Sequence, residues 1–166
     1  MEILAPVFGI FTSFILLYYL SSLNRSNVFL ALFFLCCNLV VLVYFGLHYS
    51  KIEFWEGVCF VHFLPLSFLL GPLLFFYVKY SVSKHKEFRQ IDTLHLLPAA
   101  FVVMVCWPFT SLPFDVKTKM AHEIVNITED YRLDFNWVTF EQLLYGRSIH
   151  LIIYAFSSVI YFFWNK

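Results

Sequence analysis

The chain has 166 residues, 61% of them hydrophobic and 13% charged, with a mean hydropathy of +0.76. A water-soluble domain is nearer half apolar and a quarter charged, so the composition argues against a soluble globular fold, which would lack the polar surface to cover itself. Eleven Lys and Arg balance eleven Asp and Glu, so total charge points to no polyanionic partner and only its distribution is informative.

Breaking the sequence at its charged residues leaves five apolar runs. In lipid every backbone polar group must pair within its own segment, so each run is predicted as a helix; barrel strands would alternate apolar and polar residues, and these runs are apolar on all sides. The predicted fold is an all-α integral membrane bundle of about five transmembrane helices in one domain. The spans cover about 3–23, 27–49, 57–80, 93–112 and 140–164, with an outer loop over about 113–139.

The first run follows Glu2, lacks a basic leading segment and ends in Asn24-Arg25 rather than a small-residue cleavage site, so it reads as a retained helix. Ser26 or Asn27 is placed to cap the second. The third begins with the 22-residue uncharged stretch from Gly57 to Val78, which at about 1.5 Å per residue crosses the roughly 30 Å hydrocarbon core. It leads into a loop carrying Lys79, Lys84, Lys86 and Arg89 against Glu87 and Asp92. Pro65 and the Gly71-Pro72 pair interrupt its hydrogen-bond ladder, as a packing kink or as a hinge. Asp92 or Thr93 is placed to cap the fourth span, which Pro98 and Pro108 weaken. The following segment is rich in acids, and residues 116–125 suit a short surface helix. Thr139-Phe-Glu-Gln142 has the form of a capping box that starts the fifth span.

Lys and Arg in short loops face the cytoplasm. Placing the 81–92 loop there puts Arg25 and Lys166 inside as well. Six basic residues then face two acids inside, and five face nine acids outside. The N-terminus is expected outside and the C-terminus inside. Tyr18, Tyr19, Tyr77, Tyr80, Tyr161 and Trp164 fall at inner ends, and Tyr49, Trp55, Trp107, Trp137 and Tyr145 at outer ends, as aromatic belts require. The lipid bilayer is the expected partner.

No phosphate loop, dinucleotide fingerprint, HExxH or nucleophile elbow occurs. No carboxylate lies inside a predicted span, which argues against a proton-coupled transporter and leaves no catalytic residue to name. Cys36, Cys37, Cys59 and Cys106 have no metal spacing and read as small buried hydrophobes; no metal or cofactor is expected. His62 and His150 are predicted at similar depth near the outer surface, with His48 at an outer helix end and His122 in the outer loop. They either line an outward pocket for an external small ligand or are separate interfacial histidines, the plainer reading. His95 is placed at the inner end of the fourth span.

Leu70-Gly71-Pro72-Leu73-Leu74-Phe75-Phe76-Tyr77-Val78-Lys79, then a basic loop, then His95-Leu96-Leu97-Pro98, resembles the membrane-embedded N-terminal region of bacterial AraC-type transcriptional regulators. In such proteins a multi-helix membrane domain precedes a cytoplasmic helix-turn-helix domain. The resemblance covers about thirty residues and gives Gly71, Pro72, Tyr77, Lys79, His95 and Pro98 a structural role, with no catalytic residues to carry over. The family's membrane part usually has more helices, and no helix-turn-helix pattern occurs in these 166 residues. The resemblance therefore implies a sensory, signal-transducing region truncated before its DNA-binding output domain. Its partners would be that output domain or a second copy, with no nucleic acid bound by this chain alone. The alternative is a small permease or accessory subunit of a membrane complex. An enzyme is not expected.

Overall fold

The computed structural model describes residues 3–20, 25–49, 52–83, 89–126, 134–135 and 137–165. Seven α-helices follow in order: α1 (Leu4–Leu20), α2 (Arg25–His48), α3 (Glu53–Cys59), α4 (Leu64–Val82), α5 (Leu97–Thr110), α6 (Phe114–Asn126) and α7 (Phe140–Trp164). A 3₁₀ helix, Gln90–Leu96, runs directly into α5, and a two-residue antiparallel pair, β1 (Asp134–Phe135) with β2 (Val138–Thr139), precedes α7. Four helical stretches are long and apolar enough to cross a membrane: Ser26–His48, Leu64–Val82, Gln90–Thr110 and Phe140–Trp164.

α4 is the centre of the bundle, in contact with α2, α5 and α7, while α1 lies against α2. The packing follows small residues, which let helix backbones approach in lipid. Ser67 and Gly71, one turn apart on α4, are both buried. A Cβ on Gly71 would sit 2.9 Å from Cβ of Tyr154 on α7. Gly9 and the buried Ser13 repeat the pattern on α1, where a Cβ on Gly9 would strike the Asn38 side chain of α2.

The expected 57–80 helix is instead two. The chain turns at residues 60–63 between α3 and α4. Pro65 is the cause: it lacks an N–H and its ring would clash with the carbonyl one turn back. Such a residue is tolerated in the first turn of a helix, and there it sits, just after the N-cap Phe63. Pro65 starts a helix rather than kinking one, and Pro72 alone lies inside α4. Pro98 repeats this at the start of α5, so the expected 93–112 span is a 3₁₀ segment followed by a shorter α-helix.

The 113–139 stretch contains the short helix expected over residues 116–125. Phe114–Asn126 forms α6, which packs on α3. Ala121 is fully buried, and Met120, Ile124 and Val125 face the same core. Gly57 permits the contact, since a Cβ there would meet the Thr118 backbone Cα at 3.1 Å. The start of α7 follows the Thr139 pattern. The Thr139 hydroxyl accepts the Gln142 N–H at 3.2 Å, and the Gln142 carbonyl accepts the Thr139 N–H at 3.0 Å. α2, by contrast, begins at Arg25, which leaves Ser26 and Asn27 inside the helix. The main core gathers where the 60–63 turn meets α5, α6 and the start of α7, around Val61, Val102, Cys106 and Phe109.

Candidate functional site

Polar groups collect at the two ends of α4. At its C-terminal end the central group is Asp92, 1% exposed, in the 3₁₀ helix. Its Oδ1 accepts a hydrogen bond and ion pair from Lys79 Nζ. Its Oδ2 accepts the Tyr80 hydroxyl at 2.6 Å and the Arg89 backbone N–H at 3.1 Å. A buried carboxylate is tolerable only when paired and fully hydrogen-bonded, and these donors meet that condition. Tyr80 in turn stacks on Phe29 of α2, with ring centroids 5.4 Å apart. The site thus fastens α4, the 3₁₀ helix and α2 at one end of the bundle.

One turn along, His95 Nδ1 shares a hydrogen bond of 2.8 Å with the Tyr154 hydroxyl. The pair is enclosed by Phe75 and Phe76. Gly71 lets Tyr154 approach α4. Of the residues that carry the family resemblance, Lys79, His95 and Gly71 take part directly, and Pro72 is buried beside Gly71. Tyr77 is half-buried, and its backbone carbonyl accepts the Ser81 hydroxyl at 2.7 Å. Arg89 contributes its backbone while its side chain is exposed. Lys84 and Lys86 lie outside the described residues.

No family model, no curated protein and no solved structure matches the chain.

At the other end of α4 the four predicted histidines do not converge. His122 on α6 bonds through Nδ1 to Oε2 of Glu56 on α3 at 2.7 Å. Glu56 is 3% exposed. This hydrogen bond to a carboxylate raises the His122 pKa above its ordinary 6.5. His62 lies in the 60–63 turn, with its ring 6.2 Å from that of Phe109. His150 on α7 packs between Phe68 and Tyr154. Nδ1 of His62 and both ring nitrogens of His150 are buried without a hydrogen-bond partner. His48, exposed at the end of α2, packs on Tyr44 at 4.5 Å. Among the described residues no group of three or more His, Cys, Asp or Glu is placed to hold a metal ion.

His48 does border a cleft of about 370 Å³ between α2, α4, α6 and α7. Arg147 is on its wall, as are Cys59 and Ser67. The four cysteines are free thiols.

The sequence pointed to the histidines and passed over Glu56, Arg147, Tyr154 and the burial of Asp92. A usable signal was present in two cases. Tyr154 lies one helical turn beyond His150 on an apolar helix. Lys79, Tyr80 and Asp92 flank one short loop between two spans, which brings their side chains together at the membrane boundary.

Proposed function

We propose that the chain is the membrane-embedded sensory region of a transcriptional regulator of the AraC type, lying in a bacterial cytoplasmic membrane with five spans, N-terminus outside and C-terminus inside. The observation that carries the reading is the Asp92 site. The string that resembles the regulators contributes Gly71, Lys79 and His95 to one connected arrangement around the C-terminal end of α4. A helix fastened at its cytoplasmic end by a buried carboxylate, and bordering an open cleft at its outer end, has the layout of a relay. A signal that binds two arrangements of the bundle differently shifts the balance between them, and α4 joins the cleft to the fastened end. The count of five spans is supported by α1, which packs along the spanning helix α2.

The test is transcriptional. In cells that carry the gene, its deletion is expected to change a small set of transcripts. Asp92→Asn, at unchanged membrane abundance, is expected to reproduce part of that change. A helix-turn-helix coding segment in frame beyond Lys166 would support the same reading. Unchanged transcripts together with altered uptake of a solute would assign the bundle to transport and overturn it.

A further inference from the structure

The cleft at the α6 end of the bundle contains a charge that is unpaired among the described residues. Arg147 is seven residues beyond the first residue of α7, about 10 Å along the helix at about 1.5 Å per residue. It is half-buried. Among the described residues its guanidinium has no hydrogen-bond or ion-pair partner, yet its nitrogens are not sealed from solvent. The surrounding wall is largely apolar, with Val40, Leu47, Phe63 and Leu144 among its residues, and no Asp or Glu among the described residues lines it.

A cation on an apolar wall at membrane depth is costly unless it meets water or an anion. A guanidinium favours carboxylate and phosphate oxygens, which it can bind with two parallel hydrogen bonds. His48 borders the same cleft and supplies a second polar contact. Small-molecule sites run from about 300 to 1,000 Å³, so a cleft of about 370 Å³ is at the small end and suits one acyl chain rather than two. The acids Glu53, Glu56, Asp115 and Glu123 belong to α3 and α6 and stay out of the cleft wall. They oppose an anion's approach from a distance, so recognition here is at short range.

Resting on the reading of the bundle as a receiver of outside signals, we propose that this cleft binds a single-chain anionic amphiphile. The carboxylate or phosphate head sits on Arg147 and His48, and the tail lies between α2, α4 and α7.

The experiment uses the whole chain in phosphatidylcholine nanodiscs. Equilibrium binding of radiolabelled dodecanoate and of dodecan-1-ol is measured, each corrected for partition into empty discs. The wild type is expected to hold dodecanoate at least about tenfold tighter than the alcohol, the scale of one charge-assisted hydrogen bond. Arg147→Gln should remove that preference while keeping the alcohol's affinity, which reports that the cleft is still folded. Arg147→Lys should keep most of the preference. Leu144→Trp, which fills the cleft, should weaken both ligands, and Lys119→Gln on the exposed face of α6 should change neither.

Equal affinity for the acid and the alcohol in the wild type would overturn the proposal, as would an acid preference that survives Arg147→Gln. Stabilisation by phosphatidylglycerol discs that Arg147→Gln abolishes would assign the site to a two-chain bilayer lipid and overturn the single-chain occupant. Dodecanoate binding with transcription unaffected would keep the site and remove the sensory reading. Altered transcription with no dodecanoate binding would do the reverse.

Discussion

At Asp92 a single carboxylate holds three donors from two elements out of water. Removing one member of a buried ion pair leaves the other charge uncompensated and costs about 3–5 kcal/mol, whereas replacing both with apolar groups is often near neutral. Asp92→Leu is therefore expected to destabilise the bundle by roughly 3 kcal/mol in reversible unfolding from mixed micelles, because Lys79 and Tyr80 both lose their acceptor. The double variant Lys79→Met/Asp92→Leu should recover more than half of that loss. A double variant no better than the single would mean that Lys79 contributes nothing through its charge. The His122–Glu56 contact makes a different prediction, set by pH. The His122 pKa is raised above 6.5, first by the hydrogen bond to Glu56 and then by the charges of Glu56, Glu53 and Glu123. A raised histidine pKa adds stability that is fully present below the unfolded value and is lost as pH climbs through the folded one. Thermal stability of the wild type should fall more than that of His122→Gln as pH climbs above the ordinary histidine value of 6.5. Parallel pH profiles for the two proteins would show that the contact does not join α3 to α6 in solution.

Between elements, the approach of α4 to α7 depends on Gly71. An added methyl would lie 2.9 Å from both Cβ and Cδ2 of Tyr154, and Cβ cannot swing aside without moving the α7 backbone. Overpacking of this kind costs about 1–3 kcal/mol. Gly71→Ala is expected to destabilise within that range and to disturb the His95–Tyr154 bond. Tyr154→Phe, which removes only that bond, should cost about 1 kcal/mol. If Gly71→Ala proves neutral in the same unfolding measurement, α4 and α7 pack less closely than the structure places them. These elements also mark how far the sequence could be read. Long uncharged runs place the helices at α2, α4 and α7, because lipid leaves a backbone no other way to pair. The Thr139–Gln142 box places the start of α7, because capping is a contact within four residues. What escaped was tertiary. Pro65 is expected inside one helix, as a kink or a hinge, but it starts a helix, an outcome that depends on residues 60–63 having a core to turn into. α6 is legible as a short helix over 116–125, but its packing is not, because only one narrow face, Ala121 with Ile124 and Val125, is apolar and its value depends on α3 being opposite. His62 and His150 share a predicted depth, with His48 and His122 expected on the same side, but depth alone does not say which side of a helix faces which neighbour.

For the whole molecule α1 decides between four spans, the number of helical stretches among the described residues that are long and apolar enough to cross a membrane, and the five proposed. Its 17 residues reach about 25 Å at about 1.5 Å per residue, a few ångströms short of the roughly 30 Å core. Mismatch of that size costs only fractions of a kcal/mol per ångström, met by local thinning of the bilayer. Lying flat at the interface would cost more. α1 would lose its contact with α2, where Gly9 and the buried Ser13 pack. Its outer face, with Phe8, Phe11, Ile15 and Tyr18 all exposed, has no polar side to offer water. Five crossings put residue 2 and α6 on one side and residue 89 on the other, whereas four put residues 2 and 89 together. With the native cysteines replaced, a cysteine at Glu2 or Lys119 is expected to react with a membrane-impermeant maleimide in intact cells, and one at Arg89 only after the membrane is opened. Labelling at Lys119 alone in intact cells would leave α1 on the cytoplasmic face and reduce the bundle to four spans. Labelling at Arg89 in intact cells would invert it, placing the Asp92 site outside and ending any role for it as a relay to a cytoplasmic output domain.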